Sequence, residues 1–391
     1  MALDKKKVKR LIGMMNQMTA VEIPPMGPII RCFELGMDED ILNYLLRVGT
    51  TGHTKQNLEE LYQTMRATGE ISTKRTWDEL WDEIMIMSFM VPCERSNDTY
   101  ELASIFPGWI ELCTSGPRTE KRVAIMESFM DFWKLLKTLN VGPIRKKFDK
   151  EGLEIKAAGA SRMGSLTSIT PARRSKKAIA VDEPLTSEQT VLPKGTAFEI
   201  LDRNKDKIAV MNCICRNHKE VNGDGNCDVD IPLQSCMPVG NIATQLINSG
   251  VADAISYEDA VELMKEFERK GCIHTTFHYA GNADHDELCI CNCCKDCCLL
   301  YGGYQEGYLS KVQVKAYNVP EIVDMDACTG CGKCSEFCPA DAISYNKATK
   351  KLDFTFDQCV GCGQCVVQCA FGVQRMVPNE RHVYAMTKKK R

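Results

Sequence analysis

Residues 328–339 read CTGCGKCSEFCP and residues 359–370 read CVGCGQCVVQCA, one C-x2-C-x2-C-x3-C spacing written twice. Three cysteines set two residues apart share one side of a tight loop, where their sulfurs can take three corners of a single metal–sulfur cubane. The glycines inside each run (Gly330 and Gly332, then Gly361 and Gly363) let the loop curl and turn backbone N–H groups toward sulfur. Between the runs, DAISYNKATKKLDFTFD (341–357) alternates apolar and polar residues, so a hairpin is expected with Ile343 and Tyr345 opposite Leu352 and Phe354. Zinc knuckles also use cysteine pairs, but a zinc site closes with four ligands and has no use for a doubled four-cysteine run.

The pattern resembles the bacterial-type ferredoxins that carry two [4Fe–4S] clusters, from about Val323 to Val377. In those proteins the fourth cysteine of each run ligates the other run's cluster. The resemblance therefore implies one cluster on Cys328, Cys331, Cys334 and Cys369, and a second on Cys359, Cys362, Cys365 and Cys338. Ala370 stands where many relatives have proline, a departure that leaves the ligands untouched. Low, ferredoxin-type potentials are expected, tuned by burial and N–H···S bonds.

Outward from this module, the chain has 391 residues and 22 cysteines, of which Cys32, Cys93 and Cys113 stand alone and the other nineteen lie between Cys213 and Cys369. A disulfide framework would need export. The opening MALDKKKVKRLIGMMNQM is basic, but its apolar stretch is short and broken by Asn16 and Gln17, unlike a signal peptide. No stretch has the length of a membrane span. A cytoplasmic location is expected, and dense cysteine there points to metal. The net charge of −3 calls for neither nucleic acid nor an anionic membrane.

Two further cysteine groups precede the module. Residues 213–236 read CICRNHKEVNGDGNCDVDIPLQSC and residues 289–298 read CICNCCKDCC. On a strand Cys213 and Cys215 would face the same way and could touch one metal centre. Six thiols in ten positions would oxidise or cross-link if unligated, and metal binding avoids that. His218 and His274 read as polar loop residues and Cys272 as a packed thiol, while the three isolated cysteines read as small buried hydrophobes. The acidic loop NGDGNCDVD (222–230) lacks the closing glutamate of a calcium loop and reads as a turn presenting Cys227.

The order CxCR, two spaced cysteines, ICNCC…CC and a ferredoxin module resembles a family of multi-cluster ferredoxin-like subunits of anaerobes, many with a winged-helix-like N-terminus. The resemblance implies an iron–sulfur electron-transfer subunit working beside flavin-dependent, tungsten-dependent or heterodisulfide-reductase-like enzymes. Asp296 stands where another cysteine is expected in relatives. Two more [4Fe–4S] clusters are expected, one on Cys213, Cys215, Cys227 and Cys236, the other on four of Cys289, Cys291, Cys293, Cys294, Cys297 and Cys298. Structural zinc, and one unusual cluster drawing on both cysteine groups, stay open as alternatives.

The rest of the chain supports an α+β organisation: a helical, winged-helix-like docking domain at 1–155, a linker at 156–190, a cysteine-rich α/β domain at 191–318, the ferredoxin-like module at 319–377 and a basic tail at 378–391. Helices are expected at Asp38–Val48, after Thr54, after the Thr76/Glu79 capping box and through Ile125, Phe129, Phe132 and Leu136, with a hairpin turning at Ser96–Asp98. A strand at Ile208–Met211 should deliver Cys213, and Ser256 and Gly271 should bound a helix. No strand–GxGxxG–helix unit exists for a flavin or nucleotide, and no nucleophile–base constellation marks a catalytic residue. Two other functions compete. A redox-sensing DNA-binding regulator is disfavoured, because the expected recognition helix carries Asp78, Glu79, Asp82 and Glu83 and no Lys or Arg. A reductase with a catalytic cluster in the middle domain would need a substrate pocket that the sequence does not announce.

Overall fold

A computed structural model describes residues 3–17, 23–72, 74–93, 98–138, 189–191, 194–278, 287–298, 312–356 and 359–385. The first third is helical because its apolar residues recur at three- and four-residue spacing. Helix α1 (Lys5–Met15) starts on Asp4, whose carboxylate accepts from the Lys6 N–H. It packs with α2 (Gly27–Gly36) and α3 (Glu39–Val48), the last capped by Asp38 and burying Ile41, Leu42, Tyr44 and Leu45. A short strand β1 (His53–Thr54) leads into α4 (Lys55–Ala67), capped by Thr54 as expected. Helix α5 (Trp77–Ile86) opens on the expected capping box, in which Thr76 and Glu79 each accept the other's backbone N–H. The hairpin β2 (Met90–Pro92) and β3 (Thr99–Leu102) joins β1 in the order β1-β3-β2, and most of its turn lies outside the described residues. Behind it a π-helical turn (Ile105–Trp109), α6 (Ile110–Ser115) and α7 (Glu120–Thr138) complete the unit.

The expected linker falls outside the described residues except at its end, where Gln189–Val191 forms β4. Then come α8 (Lys194–Arg203), β5 (Ala209–Asn212), α9 (Ile214–Val221), β6 (Gln234–Pro238), α10 (Gly240–Asn248), β7 (Asp253–Ala254), α11 (Tyr257–Arg269), β8 (Ile273–His278), β9 (Glu287–Cys293) and β10 (Val312–Ile322). The module follows as α12 (Lys333–Glu336), β11 (Ile343–Asn346), β12 (Lys351–Phe354) and α13 (Gln364–Val367), and β13 (Gln374–Ala385) closes it. Strands of both regions form one sheet, ordered β13-β10-β4-β8-β9-β6-β5-β7.

The module is thus inserted between the two strands of a long antiparallel pair, running from Val312↔Ala385 to Ile322↔Gln374. A boundary at 318/319 falls inside β10, and residues 378–385, expected as the start of a tail, are strand. Pairing with β10 gives their backbone groups partners despite the basic sequence. The module's own hairpin has the expected register, Ile343↔Phe354 and Tyr345↔Leu352.

Two contacts fix the module against the middle region. Helix α11, capped by Ser256, ends in a Schellman turn: Cys272 N–H donates to the Phe267 carbonyl at 2.9 Å and Gly271 takes φ +100°. A β-carbon on Gly271 would stand 2.5 Å from the Phe337 ring. The Gln364 side chain donates to the carbonyls of Cys272 (2.5 Å) and Glu268 (3.2 Å). One apolar cluster runs from Phe33 and Trp109 through Met211, Ile214 and Leu246 to Val360, so the N-terminal unit, the middle sheet and the module share a core.

Candidate metal–sulfur centres

Within the module, Cys328, Cys331, Cys334 and Cys369 line one small cavity beside Tyr345 and Leu352. The other four cysteines form a second group. Burial pushes the Cys362 thiol well up, and Cys338, Cys365 and Cys359 act on it as electrostatic neighbours. Cys365, pushed up to about 12 by burial, also feels Cys359, Cys338 and then Cys334, which makes the two groups neighbours. Each run therefore sends its last cysteine to the other run's loop. Backbone amides point at sulfur here: Ala342 N–H donates to Cys338 Sγ at 3.2 Å and Gly361 N–H to Cys359 Sγ at 3.4 Å. Gly330, Gly332, Gly361 and Gly363 all have positive φ, which is what curls the loops.

In the middle region β5 ends at Asn212 and the chain turns at once into α9. Cys213 is therefore the helix cap and Cys215 lies in the first turn; they were expected side by side on a strand. They meet nonetheless across the helix start, where hydrogen bonds from Cys215 and Cys236, aided by Arg216, hold the Cys213 thiol well below its usual range. Strand β9 carries Cys289, Cys291 and Cys293 on one face. Cys236 on β6 stands directly opposite Cys291. The thiols then neighbour one another in a closed ring, 213 to 215 to 298 to 293 to 291 to 236 and back. Cys289 joins it 3.7 Å from Cys291. Seven thiols from both cysteine groups face one another.

The N-terminal unit reaches this ring through Glu111 on α6. Burial pushes its carboxyl up to about 8, opposed by a hydrogen bond from the Gly108 N–H at 2.7 Å, and Cys291 lies close enough to raise it further.

Cys227 does not join Cys213, Cys215 and Cys236, with which the sequence grouped it. Its loop carries it to the turn after β9, where its sulfur lies 3.6 Å from Cys294. Cys227, Cys294, Asp296 and Cys297 offer ligand atoms all within 4.8 Å of one another. Lys219 draws the two segments together, reaching Asp228 at 2.7 Å and Asp296 at 3.0 Å. Asp224 accepts from Asn222 and Asp230 from Lys270, so the acidic loop is a turn whose carboxylates face amide and lysine groups.

Residues 327–373 match the family model of the 4Fe-4S dicluster domain. This chain is an iron–sulfur protein. The match spans the module alone; no curated protein and no solved structure matches the chain. No helix among the described residues is long and apolar enough to cross a membrane.

The residue that sequence reasoning overlooked in this iron–sulfur protein is Arg216, the R of CICR. It is 2% exposed and donates to Ser235 Oγ and to the Asn292 carbonyl at 2.9 Å. It also lies 3.3 Å from Cys294 Sγ and 3.6 Å from Cys272 Sγ. Desolvation works against its charge, but Cys213, Cys294 and Cys272 outweigh it and hold the guanidinium ionised. An arginine immediately after a C-x-C pair was the available signal. His274 is buried with Nδ1 2.7 Å from Asn292 Oδ1, and Cys272 is a packed thiol near Arg216 rather than part of the ring.

Proposed function

We propose that this iron–sulfur protein is an electron-transfer subunit, relaying low-potential electrons between a donor and a partner redox enzyme of an anaerobic oxidoreductase complex. The observation that carries this is the continuity of the thiol groups. Cys331 is exposed. Cys334 neighbours Cys365 across the module. Cys362 and Val360 pack into the same apolar cluster as Cys213, Cys236 and Cys298 of the ring. Bound clusters would supply one-electron chemistry, with cysteines 328, 331, 334 and 369 holding one [4Fe–4S] cluster and 359, 362, 365 and 338 the other. Seven ring thiols exceed one cubane's four corners and fall short of the eight that two all-cysteine cubanes take. That favours one iron–sulfur centre drawing on Cys213, Cys215 and Cys236 together with Cys289, Cys291, Cys293 and Cys298, in place of two separate cubanes.

The chain's own groups do the tuning. The Ala342 and Gly361 amides place positive dipole ends at sulfur, Arg216 favours thiolate at Cys213, and an apolar cluster joins Val360 and Cys362 of the module to the ring. The N-terminal unit reads as a winged helix serving protein contact. Its α5 carries four carboxylates and no basic side chain, and phosphate contacts need positive charge. The family resemblance points to flavin-, tungsten- or heterodisulfide-reductase-like partners.

Cys215→Ser tests the ring. Anaerobically purified variant should lose the iron of one centre while the module keeps its electron paramagnetic resonance (EPR) signals. Unchanged iron, or zinc lost in its place, would contradict an iron–sulfur ring centre.

A further inference from the structure

We propose that Cys227, Cys294, Cys297 and Asp296 form a mononuclear site for one tetrahedral Zn2+, distinct from the iron–sulfur centres. Spacing is the first argument. Tetrahedral zinc with bonds of about 2.3 Å sets its sulfur ligands about 3.8 Å apart. Cys227 and Cys294 stand at 3.6 Å, and all four ligand atoms lie within 4.8 Å of one another. A cubane spreads its cysteines more widely, because each thiolate sits on a different iron and an iron–iron edge separates every pair.

An unpaired oxygen is the second argument. Asp296 Oδ2 accepts from the Asp228 N–H at 2.8 Å and from Lys219 at 3.0 Å, and the Cys297 thiol lies 3.0 Å away. Its Oδ1 is buried with no hydrogen-bond partner. A buried acceptor left alone is costly, and a bound cation satisfies it.

Charge is the third. Three thiolates and a carboxylate carry four negative charges. A divalent ion leaves two, and two cations stand in place to balance them: Arg216 beside Cys294 and Lys219 beside Asp296. Soft thiolates at tetrahedral spacing suit zinc, and the carboxylate completes its fourth position. The ion clips the Cys227 loop onto the turn after β9, next to the sulfur ring but outside the electron path.

The test uses the full chain, purified anaerobically with its clusters. X-ray absorption at the zinc edge should show one zinc per chain with three sulfurs at about 2.3 Å and one oxygen at about 2.0–2.2 Å. Asp296→Ala leaves every thiol in place. It should release zinc to a chelator at least about tenfold more readily than the parent, with iron content and EPR unchanged. Four outcomes would overturn the proposal: full iron with no zinc, zinc on four sulfurs, a mononuclear iron at this site, or loss of a cluster's iron in Asp296→Ala. Because the iron signals are read separately, a zinc-free result would leave the electron-relay reading standing.

Discussion

Cys338 is the residue on which the crossed ligation proposed for the module turns. It is the last cysteine of the first run, yet its electrostatic neighbour is Cys359 of the second. Cys338→Ala should abolish one cubane, lowering iron by about four atoms per chain. The EPR of the cluster held by Cys328, Cys331 and Cys334 should remain. Loss of that cluster instead would mean that each run closes on its own centre. At this scale the sequence was legible wherever a spacing constrained one short loop, as in the doubled run. It was not legible for Cys227, whose sulfur partner Cys294 lies 67 residues away. Which of several distant thiols a loop reaches is decided by groups such as Lys219, Asp228 and Asp296, and no local period encodes those.

Elements were readable where their ends carry chemistry. Thr54, the Thr76/Glu79 box, Ser256 and Gly271 mark helix boundaries because each satisfies backbone groups that a helix leaves open. The strand delivering Cys213 stands within one residue of its expected place, but Cys213 and Cys215 lie at a helix start and not on a strand, since C-x-C fits either. Gly271 also does what its local turn does not require, by making room for the Phe337 ring. Gly271→Ala should therefore destabilise the chain by roughly 1–3 kcal/mol, from backbone strain together with the steric contact. Anaerobic urea unfolding would show this as a lower midpoint. An unchanged midpoint would mean that the α11 end and the module are not coupled.

Across the whole molecule, the N-terminal unit is part of the structure that encloses the ring. Gln245 of α10 donates to the Met90 carbonyl of β2 at 2.9 Å, Asn217 to the Thr114 carbonyl at 3.1 Å, and Arg118 pairs with Glu220. A chain beginning at residue 189 would expose Met211, Ile214 and Leu246 and remove Glu111 from beside Cys291. It should bind an apolar dye and lose the ring's iron while the module's clusters still assemble. A truncated chain with full iron and no dye binding would contradict a shared core. Composition could not show this sharing, because the helices' apolar stripes look the same whether they cover one another or a neighbouring sheet.

The central claim is an iron–sulfur relay that extends beyond the ferredoxin module. Its most direct test is a reductive titration of the full-length, anaerobically purified chain, followed by EPR with iron and acid-labile sulfide measured on the same sample. Iron and sulfide should stand clearly above the roughly eight of each that two cubanes hold. Two neighbouring cubanes should give paired signals, and a further iron–sulfur signal should appear that Cys215→Ser removes. Iron and sulfide that stop at about eight, with no third signal at any potential, would contradict the extended relay.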